Sequence, residues 1–273
     1  MKLNINYLII EASRKCNMKC EHCLRGAPQR KTIPNNYVYK MLQLVDYAST
    51  LSIGGGEPTL AIETLEYIRQ CLIYGNCDIG SFYMVTNGKA INAKELADYF
   101  YRMHMICEDN EISGVGFSFD RFHTETFSWA QKEKRDRNYD KLKETLEWEC
   151  GLGENPSGIT VVTKHTDEEY GYRRLKSEGR AKEFGVTDTP IEFFAEDADE
   201  DTVHFNDTEL YLSCTGNIVA GCDWSYHSID HKKEIQIAHI DDIHCTDDLI
   251  EAIRKYNKTK QVPKPTVLGM SFV

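Results

Sequence analysis

Residues 7–23 read YLIIEASRKCNMKCEHC, an apolar run followed at once by three closely spaced cysteines. The apolar run has the composition of a buried strand, and Cys16, Cys20 and Cys23 follow it in a C-x3-C-x2-C array. Three thiolates on one short loop can hold three irons of a cubane cluster and leave the fourth iron open. Structural zinc needs a fourth ligand, for which His22 is the nearest candidate. The spacing therefore predicts an iron–sulfur cluster, with zinc or unrelated buried thiols as the alternatives.

A glycine-rich turn follows the next apolar run. Residues 51–53 predict a short strand that leads directly into Gly54-Gly-Gly-Glu57-Pro58. Adjacent glycines let a backbone approach a ligand closely, at φ values that other residues avoid, and Glu57 adds an anion or acceptor beside them. A glycine-rich turn on its own indicates only a turn, so its weight comes from its place at the end of the second predicted strand.

The first two-thirds of the chain alternates short apolar runs with longer amphipathic stretches. Strands are predicted at residues 7–10, 51–53, 82–86, 115–119, 159–162 and 191–194. Helices are predicted at residues 37–48, 64–74, 93–103, 139–149 and 168–178. Repeated strand–helix alternation predicts a parallel sheet with right-handed crossovers, either a partial (β/α) barrel or a doubly wound sheet. In both architectures the chemistry lies at the C-terminal ends of the strands.

Together, the cysteine array and the glycine turn resemble the signature of the radical S-adenosylmethionine (SAM) superfamily, over roughly residues 5–195. The resemblance implies an α/β fold, a partial (β/α)6 TIM-type barrel, with a [4Fe–4S] cluster on the three cysteines and SAM on the open iron. It implies that Gly55, Gly56 and Glu57 recognise the SAM amino group and that His22 lies near the adenine. Reductive cleavage of SAM would then yield a 5′-deoxyadenosyl radical that abstracts hydrogen from a substrate.

Polar residues at later strand ends fit the same resemblance. Asn87 lies in a Thr-Asn-Gly sequence similar to a turn of the family, although a simple Asn-Gly turn is the common alternative. Ser118 and Asp120 resemble an S-x-D pattern near the SAM carboxylate or ribose, and Asp120 could instead cap the following segment. Arg180, in a Gly-Arg-Ala element, is expected to contact the SAM carboxylate or else to be a surface residue. His123 is the candidate proton donor or substrate contact, with an ordinary loop histidine as the alternative.

After residue 195 the alternation of apolar and amphipathic stretches gives way to an acidic stretch, and we predict two domains. These are a radical SAM core over residues 1–195 and a C-terminal extension over residues 196–273. The extension is predicted to begin with an acidic surface linker at residues 196–209. A β-hairpin with strands at 210–213 and 217–220 and a helix at 247–256 follow, before a proline-containing tail.

The hairpin resembles those of SPASM and twitch extensions, which bind auxiliary iron–sulfur clusters in peptide-modifying relatives. Cys214, Cys222 and Cys245 are the candidate ligands here, with His244 beside the last. The spacing departs from the family pattern, because five residues rather than four separate Gly216 from Cys222. An auxiliary cluster, a zinc ion and no metal therefore stay open as alternatives.

Composition excludes some classes of function. The formal charge of −11 argues against general nucleic-acid binding, because neutralising phosphates needs a basic surface. No run approaches the roughly 20 apolar residues of a membrane span, and the N-terminal residues lack the features of a signal peptide. We therefore expect a cytoplasmic protein that does not bind a membrane.

The sequence thus predicts a radical SAM enzyme that abstracts hydrogen from a substrate, with a peptide or protein as the first choice of substrate. A reductant such as flavodoxin or ferredoxin is the expected partner. A nucleotide or small-molecule substrate is the alternative within the same class. A non-catalytic zinc- or metal-binding module is the alternative from a different class.

Overall fold

The computed structural model describes residues 1–89, 91–108, 113–149, 151–152, 162–166, 176–183 and 191–260. Within these residues, nine strands form one sheet, and helices pack against it. The strands are β1 (Lys2–Ser13), β2 (Tyr47–Gly55), β3 (Asp78–Thr86), β4 (Gly114–Ser118), β5 (Val162–His165), β6 (Ala195–Ala198), β7 (Thr202–Leu212), β8 (Asn217–Ala220) and β9 (Gln236–His239). The α-helices are α1 (Asn35–Leu44), α2 (Ile62–Tyr74), α3 (Ala93–His104), α4 (Arg121–Glu125), α5 (Trp129–Glu144), α6 (Tyr226–His231) and α7 (Thr246–Lys260).

The sheet has the strand order β5-β4-β3-β2-β1-β7-β8-β9, and β6 pairs with β7. Strands β1 to β5 run parallel to their neighbours, and β7 lies parallel to β1 on its other side. The pairs β6–β7, β7–β8 and β8–β9 are antiparallel. Six parallel strands within the described residues, with helices between them, form the partial TIM-type barrel predicted from the sequence.

Strand β1 is the centre of the core because it is paired on both sides. Its side chains Leu3, Ile5, Leu8 and Ile10 are at most 1% exposed. Buried and partly exposed positions alternate along most of the strand, and its last three residues, Glu11, Ala12 and Ser13, are all buried. The C-terminal end of β1 therefore delivers the cysteine loop from the most deeply buried part of the fold.

Two helices differ from their predicted bounds for local reasons. The predicted helix 37–48 ends at Leu44, because an Asp46 carboxylate oxygen accepts a hydrogen bond from the backbone N–H of Leu3 and so fixes the chain at the start of β2. Helix α5 begins well before the predicted 139–149, since Ser128 and Gln131 form a capping box. The first half of α5 is not predicted because its sequence is strongly charged and has few apolar residues to mark a buried face.

The predicted sixth strand, 191–194, is wrong. The backbone of Phe194 is bound by the Asn257 side chain at 2.9 Å and 2.8 Å, and Thr208 donates to the Phe193 carbonyl at 2.9 Å. These side chains take the backbone groups that a neighbouring strand would otherwise pair. The sixth parallel strand is β7 instead.

The acidic segment 196–209 is not a linker, because it contains β6 and most of β7. Val203 and Phe205 are fully buried, and polar residues alternate with them. The division of the chain at residue 195 stays a prediction, but the sheet continues across it. The predicted helix 168–178 falls outside the described residues except for 176–178, which are not helical. None of the described helices combines the length and apolar composition needed to cross a membrane.

A buried ion network joins the end of β1 to the C-terminal part of the chain. The Arg14 side chain is fully buried, and its Nε donates to Glu11 at 2.7 Å. Its two terminal nitrogens donate to Asp230 of α6 at 2.6 Å and 2.8 Å. The second Glu11 oxygen accepts the backbone N–H of Cys214 at 3.1 Å, in the β7–β8 hairpin. Three segments therefore meet at one guanidinium, two residues before Cys16.

The glycine turn lies against the cysteine loop. The N–H of Gly56 donates to the Ser13 carbonyl at 2.7 Å, and that of Glu57 donates to the Lys15 carbonyl at 2.8 Å. A Cβ on Gly55 would lie 2.1 Å from the Ser13 carbonyl oxygen, and Gly55 has φ +127°. Only glycine accommodates both this backbone conformation and this close approach.

We expect Gly55→Ala to lower the free energy of unfolding by about 3 kcal/mol or more, because it adds backbone strain and a clash with main-chain atoms. Gly54→Ala is the matched control, since its Cβ would make an ordinary 3.6 Å contact with Ile9. Urea unfolding of both variants measures the difference. Equal stability of the two variants would contradict this account of the turn.

Asp230→Asn tests the ion network through its pH dependence. Burial alone would raise the pKa of Asp230, but hydrogen bonds from Arg14 and Thr215 more than offset it, so the pKa lies below its ordinary value. A depressed folded-state pKa gives stability that is present above the unfolded-state pKa and is lost as pH falls through the folded-state pKa. We expect the substitution to cost about 2 kcal/mol near neutral pH, and the difference from wild type to shrink between about pH 4 and pH 2. Exposed Asp242→Asn is the control, and a difference that does not change with pH would argue against the ion pair.

Candidate active site

The C-terminal ends of the parallel strands surround a cavity of about 870 Å³. Cys16, Cys20 and Cys23 line it together. The other candidate residues predicted for the core also line it: His22, Gly55, Gly56, Glu57, Asn87, Ser118, Asp120, His123 and Arg180. The fold thus brings residues from four strand ends and one later turn to a single cavity, although their individual roles stay predictions.

The cysteine loop is compact. Cys23 donates its N–H to the Cys20 carbonyl at 3.2 Å, and Cys20 is buried. Burial, together with the neighbouring Cys23 and Cys16 thiolates, raises the pKa of Cys20 to about 12. Burial also raises the pKa of Cys16. Three thiols that repel one another when ionised need a cation to become thiolates together, and a metal supplies it. The donor set therefore fits an iron–sulfur cluster.

The Glu57 carboxylate joins two strand ends. One oxygen accepts from the Thr59 and Thr86 hydroxyls, both at 2.6 Å, and the other accepts from the Asn87 N–H at 2.8 Å. The side chain is 1% exposed. Glu57 thus fixes the ends of β2 and β3 relative to each other, and the carboxylate reaches the cavity already hydrogen-bonded.

Asn87 connects the end of β3 to the cysteine loop. Its side-chain nitrogen donates to the Asn17 side chain at 2.9 Å and lies 3.9 Å from the Cys16 Sγ. Lys89 adds a hydrogen bond to the Asn17 carbonyl at 3.2 Å. The Thr-Asn-Gly turn therefore supports the loop that carries the first cysteine.

An acid–imidazole pair follows β4. Asp120 caps α4 by accepting the N–H of His123, as the capping alternative predicts, and its second oxygen lies 2.5 Å from the His123 Nδ1. Burial alone would raise the pKa of Asp120, but His123 more than offsets it and holds the pKa below its ordinary range. The His22 ring stacks on Phe122 with centroids 4.4 Å apart. Two imidazoles and one carboxylate thus form one polar wall.

Arg180 is fixed through its backbone. Its N–H donates to the Cys23 carbonyl at 2.9 Å, in the short 3-10 turn Gly179–Glu183. Its buried Nε has no hydrogen-bond partner among the described residues. Ser118, at the end of β4, is 8% exposed. A guanidinium with an unused donor beside the third cysteine is available to an anionic ligand.

Sequence reasoning left out several polar groups of the cavity, among them Tyr83, His165 and Tyr226. Tyr83 and His165 contact each other at 2.7 Å across β3 and β5, and Tyr226 enters from α6. His165 is the last residue of β5 and lies three residues beyond the end of the predicted strand. Extending the predicted strand to its true end would have placed His165 among the candidate residues. No sequence signal links Tyr226 to the cysteines, because the C-terminal part of the chain supplies it.

The C-terminal cysteines lie in different surroundings. Cys214 is buried beside Glu11, Cys222 lines the cavity, and Cys245 is exposed before α7. Burial raises the pKa of Cys214 and that of Cys222 to about 12 each. Within the described residues, the three C-terminal cysteines do not lie close enough together to bind one metal ion. The potential ligands that do lie close together there are Cys20, His22 and His123, whose ligand atoms are within 4.8 Å of one another.

Two curated proteins match parts of the chain. YfkA of Bacillus subtilis is 26% identical over 163 residues, which is 55% of this chain and 42% of that protein. The molybdenum cofactor biosynthesis protein moc-5 of Caenorhabditis elegans is 24% identical over 169 residues, 59% of this chain and 26% of its own length. The chain thus spans less than half the length of these relatives.

A solved structure, that of native anSMEcpe with bound AdoMet and the Cp18Cys peptide, has a similar fold. The TM-score is 0.53 at 14% identity, and the match covers 94% of this chain and 83% of that one. At this identity the likeness concerns the fold alone.

The family model of the radical SAM superfamily matches residues 10–172, which is more than half of the chain. The match includes the cysteine array, the glycine turn and the strand ends that form the cavity. The chain therefore belongs to the radical SAM superfamily.

Proposed function

We propose that the protein is an enzyme that holds a [4Fe–4S] cluster through Cys16, Cys20 and Cys23, binds SAM, and modifies a peptide or protein. The observation that carries the proposal is the convergence of the three cysteines with the cationic and acid–imidazole groups in one cavity. When bound, the two cofactors supply a radical that abstracts hydrogen from a C–H bond, after transfer of one electron from a reductant such as flavodoxin or ferredoxin. The protein supplies orientation and protection from competing reactions.

The residues around the cavity have separable roles in binding SAM. The stacked rings of His22 and Phe122 offer a flat aromatic face to the adenine. The Arg180 guanidinium, with its unused Nε, binds the carboxylate. The turn containing Gly55 and Gly56 brings backbone polar groups to the amino group, and Ser118 adds a hydroxyl at the end of β4.

His123 is the group best suited to hold or move a proton. The Asp120 carboxylate accepts the proton on Nδ1, which leaves Nε2 as the basic nitrogen of the neutral ring. The low pKa of Asp120 keeps the carboxylate ionised near neutral pH. This pair orients the imidazole at the cavity wall.

A peptide or protein substrate is supported by the size of the cavity and by the fold. A volume of about 870 Å³ is at the upper end of the range for ligand pockets, so a cofactor and part of a substrate can share it. AnSMEcpe, which has a similar fold, was solved with AdoMet and a peptide bound. A nucleotide or small metabolite is the alternative substrate.

A second candidate function, a metal-binding module without catalysis, has one observation in its favour. The ligand atoms of Cys20, His22 and His123 lie within 4.8 Å of one another, a separation that suits a zinc ion. Such a site would use one cysteine of the array and leave Cys16 and Cys23 without a role. Metal content separates the two functions.

Anaerobic reconstitution with iron and sulfide, followed by SAM and dithionite, is expected to yield a brown protein that forms 5′-deoxyadenosine. Cys20→Ala removes one cluster ligand and is expected to abolish the product. Cys71→Ala, at a buried cysteine of α2, is the matched control and should retain it. A colourless wild-type protein that holds zinc and forms no 5′-deoxyadenosine would favour the metal-binding module.

Arg180→Gln is expected to weaken SAM binding about tenfold, because it removes a charge-assisted pair with the carboxylate. Lys182→Gln, an exposed residue of the same turn, is the control and should leave the affinity unchanged. Equilibrium dialysis of labelled SAM against the reconstituted protein measures both. Equal affinities of the two variants would remove Arg180 from the SAM site.

A further inference from the structure

Arg25 carries a positive charge into the cavity without a matching acid. Its guanidinium lines the cavity, donates to the Trp224 carbonyl at 2.7 Å and lies 4.9 Å over the Tyr211 ring. Over the described ranges, no carboxylate lies within 4.0 Å of it. One carbonyl and one ring satisfy only part of a guanidinium that has five N–H donors.

Among the described residues, the two arginines with the most deeply buried side chains have acidic partners, whereas Arg180, like Arg25, has none. Arg14 pairs with Glu11 and Asp230, and Arg135 lies 3.3 Å from Asp136. Removing a charge from water is costly unless it is paired and hydrogen-bonded. Arg25 departs from this pattern at a position where a ligand can supply the missing partner.

The acids of the cavity are already engaged elsewhere. Glu57 is bound by the strand ends, Asp120 pairs with His123, and Asp223 lies 3.4 Å from Lys176. None of these three is an ion-pair partner of Arg25. Glu11 acts on Arg25 only through its charge, beyond ion-pair distance, so the guanidinium is left without a carboxylate in contact and can accept one from a ligand.

Tyr226 is a second, independent sign of a ligand. It lines the same cavity, is 2% exposed, and its hydroxyl has no hydrogen-bond partner among the described residues. The Arg14 guanidinium stacks on its ring at 4.5 Å, and its N–H donates to the Arg25 carbonyl at 3.1 Å. The hydroxyl is thus held in place without a partner, which is costly unless a ligand supplies one.

Two guanidiniums with unused donors line the cavity, and they face different groups. Arg180 lies beside the cysteine loop, where its N–H donates to the Cys23 carbonyl at 2.9 Å. Arg25 is bound instead by the Trp224 carbonyl at 2.7 Å, beyond the β8 strand. SAM carries one carboxylate, and Arg180 beside the cysteine loop suits it. Arg25 is left for a second anion.

We propose that Arg25 and the Tyr226 hydroxyl form a subsite for a carboxylate of the substrate. The inference rests on the proposed function and adds the substrate chemistry that this site would recognise. A guanidinium binds a carboxylate through two parallel N–H···O bonds, and a tyrosine hydroxyl can donate a third. One unmatched charge favours a carboxylate over a phosphate, which brings about −1.5 to −2. For a peptide, the group is the terminal carboxylate or an acidic side chain.

The test compares two probes that differ in one charge, N-acetyl-trialanine as the free acid and as its C-terminal amide. Their binding to the reconstituted protein with SAM is measured anaerobically by equilibrium dialysis. We expect the acid to bind about tenfold more tightly than the amide. The ratio of acid to amide affinity is expected to fall to one in Arg25→Gln and to fall about threefold in Tyr226→Phe. The exposed control Arg30→Gln is expected to keep the wild-type ratio. Arg25→Lys, which keeps the charge, is expected to retain part of the preference for the acid.

The affinity for labelled SAM shows whether Arg25 binds the carboxylate of SAM or that of the substrate. If Arg25 binds the substrate, Arg25→Gln leaves SAM affinity within about twofold of wild type, a change of under 1 kcal/mol. If Arg25→Gln weakens SAM binding and leaves the acid preference intact, the guanidinium serves SAM and the proposal is overturned. Equal binding of acid and amide to the wild-type protein, or no binding of either, also overturns it.

These binding measurements need no turnover, so the two proposals fail separately. An acid preference that depends on Arg25, in a protein that forms no 5′-deoxyadenosine, upholds the subsite and defeats the proposed reaction. Formation of 5′-deoxyadenosine without any acid preference defeats the subsite alone. The partial retention expected for Arg25→Lys guards against a loss that comes only from misfolding.

Discussion

The burial of one positive charge, that of Arg14, is the constraint on which the arrangement of the cavity depends. A guanidinium with no access to water needs carboxylates, and Glu11 and Asp230 provide them from positions 3 and 216 residues away. Satisfying this charge brings the end of β1, the β7–β8 hairpin and α6 together. The C-terminal part of the chain thus supports the loop that carries the cysteines and also supplies part of the cavity wall.

The glycine turn, which we assign to SAM binding, also stabilises the fold. The turn at Gly55 and Gly56 lets the Ser13–Lys15 backbone pass within hydrogen-bond distance, and Glu57 ties two strand ends together. A substitution in such a motif therefore changes the framework as well as the ligand site. Separating the two effects requires a stability measurement beside any binding measurement.

The sequence predicts the features that depend on local pattern. Alternation of strands and helices indicates a parallel sheet, and the family resemblance carried by the three cysteines and the glycine turn implies the barrel and one side of its cavity. The end of β7 is predicted as the hairpin strand 210–213, but its first part is missed because polar and acidic residues alternate with the buried Val203 and Phe205. Tyr226 is missed because its significance lies in the lack of a partner for its hydroxyl among the described residues, which only three-dimensional proximity reveals.

The pairing of β1 with β7 has a consequence for biosynthesis. Strand β1 finds one of its two neighbours about 200 residues later in the chain, and closing so long a loop costs entropy before any contact repays it. Until Asp230 has emerged, Arg14 lacks half of its counter-charge. Until β7 and α6 have been synthesised, the nascent chain therefore exposes its cysteines on an incomplete framework.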